Sequence, residues 1–332
     1  MVIEKISILT MSRGDWLRER RNSIGGSDVG AILGLNKYRS PYAVWAEKTG
    51  RIPEPEDNEA MRQGRDLEAY VAKRFTEKSG KLVRRCNYLL RNTDAPYLHA
   101  NIDRCVIGEE SGLECKTASA LNAKAYNGGS FPDSYYAQCV SYLAVTGWKR
   151  WYLAALILNK AFCIYQITTI KDDDVPEWCE SSVYVSSEEI ASLKQFAADF
   201  WERYVGADTP PPFDGCASTT NTISRMYENS RDSVVDLFGR ESILSEWDAL
   251  QRQAREIHFR KMQIKQSLMD DLGRADVGVC SDWTVQWKEQ KRGVVSVEKL
   301  RKTYPGINIG KVMTCKTFRK FSIRKETSYG TD

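Results

Sequence analysis

The sequence predicts an α/β layer with a mixed sheet, and three observations carry that expectation. Helix-period and strand-period stretches follow one another in the order helices, strand, hairpin, helix, hairpin, helix. Two apolar runs, Trp151 to Leu158 and Ala161 to Thr168, are split only by Asn159-Lys160 and read as a central hairpin. The stretch Thr209-Pro210-Pro211-Pro212 then breaks the pattern and closes a first domain, expected over 1–209.

The elements can be justified in turn. Asp15 to Arg21 has helical character and leads into Ile24-Gly25-Gly26-Ser27-Asp28. There two glycines permit a tight turn, and Ser27 is expected to cap a helix running to about Gly34. A glycine turn that opens a helix exposes backbone N–H groups and the positive end of the dipole, and Arg21 and Ser27 lie close enough to share that anion site. Ser40-Pro41 starts another helix to Thr49, with proline in the first turn and Gly50 as the stop. Residues 58–79 form a longer helix with Leu67, Val71 and Phe75 on one stripe and Glu68 at its margin. Lys81 to Leu90 reads as the first strand. Tyr97 to Ile107, a tight turn at Gly108 to Gly112, and Leu113 to Thr117 read as a hairpin. Pro132-Asp133-Ser134 opens a helix through Val145, in which Gln138 shares the inward face with Tyr135, Tyr142 and Val145. A buried glutamine needs partners. Ser187 to Gly206 is the last helix of the domain, with Glu188 and Glu189 in its first turn.

Residues 210–332 read as a separate extension. Ile243, Trp247, Leu250, Ala254, Ile257, Ile264 and Leu268 recur at alternating spacings of four and three within an expected helix 240–272, interrupted by Lys261 and closed by Gly273. Such a stripe packs in a coiled coil or against its own domain. A small basic α+β module follows over 277–326, with a strand at Trp283–Trp287, a short helix at Ser296–Tyr304 and a strand at Thr317–Arg324. Between Trp283 and Arg324 there are eleven Lys+Arg and two acidic residues, interleaved with aromatics, which suits a nucleic-acid surface.

Bulk properties exclude several classes. Net charge is +4, but residues 251–332 carry 18 Lys+Arg against 9 Asp+Glu, a net of +9, which leaves −5 for residues 1–250. Nine cysteines without a Cys-x-x-Cys suit reduced thiols in a cytoplasm rather than a disulfide framework, a zinc site or an iron–sulfur cluster. Only His99 and His258 are present, which disfavours chemistry built on histidine. No apolar run is long enough to span a membrane, and the first residues show no secretory leader pattern, so a cytoplasmic location is expected.

The residues that bear chemistry centre on the 101–117 hairpin. Pairing should set Asp103 beside Glu114, and strand alternation puts Glu114 and Lys116 on one face with Cys115 on the other. Two carboxylates and an ammonium on one patch are what metal-assisted phosphodiester hydrolysis needs. The preceding helix could lay Glu68 over the same patch.

Five segments recur in an informative order: Arg21 with Ile24 to Gly34, Gly64-Arg65-Asp66-Leu67-Glu68, Ala100-Asn101-Ile102-Asp103, Gly112 to Thr117, and Tyr135 with Gln138. Together they resemble the YqaJ-type viral recombinases, relatives of phage lambda exonuclease within the PD-(D/E)xK nuclease superfamily. The likeness covers residues 15 to about 170. It implies a PD-(D/E)xK core and a Mg²⁺-dependent 5′→3′ exonuclease, with Mn²⁺ as a substitute, acting on duplex DNA ends beside a RecT/Beta-like single-strand annealing protein in phage recombination. By position, Asp103, Glu114 and the main-chain carbonyl of Cys115 would ligate metal, Glu68 and Gln138 would complete a two-metal site, and Lys116 would hold the attacking water. Arg21, Ser27 and Asn101 would grip the 5′-phosphate. Family members form a toroidal trimer. Ile102 stands where the superfamily often has proline, and the extension has no counterpart in the minimal nuclease. Two other readings stay open: an endonuclease or RecB-like single-strand nuclease, and a DNA-binding protein that keeps the fold without turnover.

Overall fold

A computed structural model describes residues 2–53, 58–229, 231–289 and 297–306, and divides the chain into two compact units, Met1–Glu228 and Asn229–Asp332. The division falls beyond the triple proline because helix Ala217–Met226 packs back on the first unit. It buries Thr219 and Thr222, and Ser218 Oγ accepts the Ser40 N–H at 3.0 Å.

In chain order the first unit contains β1 (Ile3–Ser7), α1 (Arg13–Arg21), β2 (Ile24–Gly25), α2 (Gly26–Ile32), α3 (Pro41–Lys48), α4 (Glu59–Ser79), β3 (Val83–Arg85), β4 (Tyr88–Asn92), β5 (Ala95–Asn101), β6 (Arg104–Val106) and β7 (Ser111–Ala118). There follow a 3₁₀ turn, α5 (Asp133–Thr146), β8 (Arg150–Ile157), β9 (Ala161–Thr168), β10 (Ser181–Tyr184), α6 (Ser187–Phe200), which runs into a π turn Trp201–Gly206, and α7 (Ala217–Met226). A six-stranded mixed sheet, order β10-β9-β8-β7-β6-β3, forms the centre; a four-stranded sheet, order β1-β4-β5-β2, stands beside it.

Strand alternation decides what each face of the central sheet covers. Trp151, Leu153 and Ala155 of β8 join the larger core with α5, whereas Tyr152 and Ala154 point the other way to Val71, Ala72 and Phe75 of α4. Helices therefore flank the mixed sheet on both faces, and β7 lies between them, paired parallel to β8 along its whole length.

Four expectations need correction. Tyr97–Ile107 is two strands in two sheets, β5 and β6, interrupted at Ile102-Asp103. At that point the Cys115 N–H donates to the Asp103 carboxylate (2.8 Å), so a side chain takes the place of a ladder bond. Lys81–Leu90 is likewise divided: β3 pairs with β6, and β4 pairs with β1 and β5. Apolar alternation marks a strand but not its partner. Ser27 does not cap α2. Gly25 holds the cap position, and its N–H donates to the Asp28 carboxylate at 2.8 Å, leaving Ser27 exposed in the first turn. Strand β1 was not anticipated; its short run Ile3–Ser7 lacks a long apolar face and is fixed by pairing with β4.

The second unit contains α8 (Glu241–Leu272), a hairpin of β11 (Val277–Cys280) and β12 (Trp283–Gln286), and α9 (Val297–Thr303). The expected strand Thr317–Arg324 lies outside the described residues.

Candidate active site

The site is assembled from three elements of the first unit: β7 carries Glu114 and Lys116, α5 carries Gln138 and Tyr142, and α4 brings Glu68 toward the Asp103-Arg104 corner. Glu114 is buried at 3% exposure. Its Oε1 accepts from Lys116 Nζ at 2.6 Å and from Gln138 Nε2 at 2.7 Å. The amide of Gln138 is spent completely: its oxygen accepts from Lys116 Nζ (2.9 Å), and its nitrogen also donates to Tyr142 Oη (2.8 Å). Tyr142 Oη in turn donates to the Asn101 carbonyl at 3.1 Å. This closed ring ties the ends of β5, β7 and α5 together. Cys115, on the other face of β7, packs toward α4.

Glu68 is held by the Arg104 guanidinium, which also donates to the Asp103 carbonyl at 2.7 Å. Burial raises the Asp103 pKa well above its ordinary value, and the Glu114 and Glu68 carboxylates raise it further. Burial opposes charge on Lys116, but Glu114 beside it, with Tyr135 and Asp103, holds the ammonium pKa above its usual value; its Nζ lies 4.7 Å over the Tyr135 ring. Three acids are thus close enough to disturb one another, with two bases among them. They do not form a ready cage: among the described residues no three His, Cys, Asp or Glu side chains stand close enough together to hold a metal ion. Arg104 and Lys116 occupy two of the carboxylates. Glu114 Oε2, however, is buried without any hydrogen-bond partner. A hard anionic oxygen left unpaired in the interior is costly. That atom, the mutual repulsion felt by Asp103 and the all-oxygen donor set fit a hard divalent cation.

The glycine turn stands directly against this ring. A Cβ on Gly26 would lie 2.5 Å from Tyr142 Cε1 and 3.0 Å from Gln138 Cγ, and one on Gly25 would lie 2.7 Å from His99 Nε2. The start of α2 therefore abuts the residues that hold Glu114, and only glycine permits the approach. Beneath the turn lies a second charged cluster. Buried Asp28 pairs with Lys48 (2.7 Å) and Arg39, Arg39 also pairs with Glu47, and Lys48 Nζ donates to the Arg20 carbonyl at 2.7 Å. Burial alone would raise the Asp28 pKa, but Lys48, Arg39 and Arg20 together hold it well below the usual range. His99, fully buried and bonded to Ser23 at 2.9 Å, has its pKa pushed well down by burial and by Lys48. The Nε atoms of Arg20 and Arg21 are buried without an acceptor.

Of the residues singled out in the sequence, Asp103, Glu114, Lys116, Gln138 and Glu68 gather at one place. Arg21 and Ser27 flank the adjoining turn, and Asn101 meets the ring through its main chain. Arg104, Tyr142, Asp28 and Lys48 were missed as site residues. Tyr142 lies one helical turn after Gln138 and so shares its face; Arg104 and Lys48 give no local signal.

Fold and site together define a mixed α/β protein with an acid-rich centre beneath a glycine-opened helix. The chain belongs to the family of the YqaJ-like viral recombinase domain. Residues 15–149 match that family's model, and the chain is 32% identical over 321 residues to the uncharacterized protein YqaJ of Bacillus subtilis (strain 168), covering 95% of each. Among solved structures it is similar to LHK-Exo in complex with dAMP (17% identity, TM-score 0.47) and to an alkaline exonuclease (LHK-Exo) from Laribacter hongkongensis (15%, TM-score 0.45). Each likeness covers 59% of this chain and 93% of that chain, and both are too distant to bear on function. No helix among the described residues is long and apolar enough to cross a membrane.

Proposed function

We propose that the protein is a cytoplasmic, Mg²⁺-dependent exonuclease of a phage or prophage recombination system, with a PD-(D/E)xK core. It would hydrolyse duplex DNA 5′→3′ from 5′-phosphorylated ends, beside a single-strand annealing protein. The observation that carries this reading is the buried, unpartnered Glu114 Oε2 within a cluster of three acids, Lys116 and Gln138. Membership of a viral recombinase family supports it. Glu68, Asp103, Glu114 and the Cys115 carbonyl are the groups that would hold metal, and Mn²⁺ would serve in its place. When bound, the ions would supply Lewis acidity and a hydroxide at neutral pH. Gln138 fixes the Glu114 carboxylate by donating to Oε1. Lys116, kept protonated by its acidic neighbours, is a donor poised to orient water and to steady charge developing on a phosphate oxygen. The exposed Ser27 at the opening of α2 and the unpaired Nε of Arg21 form a receptor suited to a terminal phosphate.

The test is to incubate linear duplex carrying 5′-phosphate or 5′-hydroxyl ends, and closed circular duplex, with the protein and Mg²⁺. Degradation of the phosphorylated linear substrate with sparing of the circle is expected. Cleavage of the circle would favour an endonuclease, and binding without products a passive DNA-binding protein.

A further inference from the structure

Helix α8 is amphipathic along its length, yet no residue of it is buried. Ile243 is 53% exposed, Trp247 42%, Leu250 53% and Ile257 63%, values far from those of core side chains such as Trp151 at 0%. The stripe divides in two. Its C-terminal third, Ile264, Leu268 and Leu272, lines an apolar concavity of about 280 Å³ with Val285 and Trp287 of the adjoining hairpin. Lys261 lines that concavity too, but from Ile243 to Ile257 nothing in the described part of the unit covers the stripe. Residues 241–272 carry five Lys+Arg and six Asp+Glu, so a polyanion is not the partner the helix charge favours.

We propose that residues 243–261 of α8 pair with the same segment of a second copy of this chain, antiparallel, as a short two-stranded coiled coil. With Ile243, Leu250 and Ile257 at d positions and Trp247, Ala254 and Lys261 at a positions, antiparallel pairing about a two-fold axis near Arg252 sets Trp247 opposite Ile257 of the other copy, large Leu250 opposite small Ala254, and Lys261 opposite Ile243. The lysines then fall at the two outer layers, where each stem covers an isoleucine and the ammonium reaches water. The flanking g positions, Glu246 and Arg260, meet across the pair twice with opposite charge. Among the described residues Arg260 donates one exposed 3.2 Å bond, to Gln263 of its own helix. The parallel arrangement is worse on both counts: it stacks Lys261 on Lys261, like charge on like, and sets Arg260 beside Lys265. Charge complementarity therefore selects both the occupant and its direction.

Sedimentation equilibrium of the full chain tests this, with circular dichroism to verify helix content. Association at concentrations up to about 100 µM is expected, and Ile257→Asp, at a site outside any core, should halve the sedimenting mass. Arg260→Glu should weaken association about tenfold, and adding Glu246→Arg should restore it. A single-chain mass at the highest concentration, or an unchanged mass for Ile257→Asp, would overturn the proposal. Tighter association of Arg260→Glu, whose carboxylate would meet Lys265 in a parallel pair, would overturn the direction. Association seen only when duplex DNA is added would mean that the second copy is not the occupant.

Discussion

Two charged clusters lie close together in the first unit, and they behave oppositely. Around Asp28, two acids meet two bases, Arg39 bonding both acids and Lys48 bonding Asp28, and the Asp28 pKa is pulled down. Around Asp103, three acids meet two bases, one carboxylate oxygen has no partner, and the Asp103 pKa is pushed up. The first arrangement is what a structural ion-pair network needs, since a buried pair is tolerated when its bonds are complete. The second is unfavourable by itself, and such excess charge is retained where a substrate or ion completes it. The contrast separates scaffold from site without reference to any relative.

Substitution at the two centres should break the comparison if it is wrong. Asp103→Asn and Glu114→Gln should each reduce DNA hydrolysis by about a thousandfold or more, as expected for loss of a transition-state contact. Asp103→Asn should leave stability unchanged or improved, as read by urea unfolding, whereas Glu114→Gln removes the charge partner of Lys116 and should lower it. Asp28→Asn strands Lys48, leaves Arg39 with Glu47 alone, and should cost about 3–5 kcal/mol in the same unfolding experiment. Equal destabilisation by Asp28→Asn and Asp103→Asn would erase the distinction.

The pH dependence has opposite sign at the two sites. Asp28 is depressed in the folded state, so its contribution is present above the unfolded pKa, ordinarily 3.8, and is lost as pH falls through the folded value. Asp103 is raised, so its contribution is present below 3.8 and is lost as pH rises through its folded value. The stability gain of Asp103→Asn over wild type should therefore be greatest at neutral pH and vanish below about pH 4. A gain that grows on acidification would contradict this sign.

Smaller effects sharpen the boundary between the clusters. Gly26→Ala should cost about 1–3 kcal/mol through overpacking and slow hydrolysis by displacing Gln138; the rate should fall even where the variant remains folded. Arg21→Ala should raise KM about tenfold for 5′-phosphorylated ends and leave 5′-hydroxyl ends little changed. For the basic extension, truncation belongs after Glu228 rather than at the triple proline, because α7 packs on the first unit. Removing residues 229–332 should reduce the salt dependence of DNA binding, and an unchanged slope would reject a DNA role for that unit.

Elements with strong local period were legible. The long α4, the Pro-opened α3 and α5, the β8–β9 hairpin and α8 all follow from apolar spacing, caps and turn residues. Gln138 was legible as an inward residue because helical spacing places it among aromatics. The strand breaks at Ile102-Asp103 and Cys86-Asn87 were not, since the same alternation serves whichever sheet receives the strand. Nor was the capping of α2: Asp28 reaches back to Gly25 in a position where Ser27 offered an equally plausible local cap.

The sequence by itself determined the order of the strongly periodic elements, the acidic stretch 1–250 and basic stretch 251–332, and the short-range pair Glu114 and Lys116, because periods of two and 3.6 fix which side chains share a face. Only the tertiary structure decided which charges are satisfied. Arg104 reaches Glu68 across 36 positions, Lys116 reaches Gln138 across 22, and Lys48 meets Asp28 from another helix. Pairing energy in a low-dielectric interior depends on distances of a few ångströms between residues remote in the chain, and no local pattern encodes them.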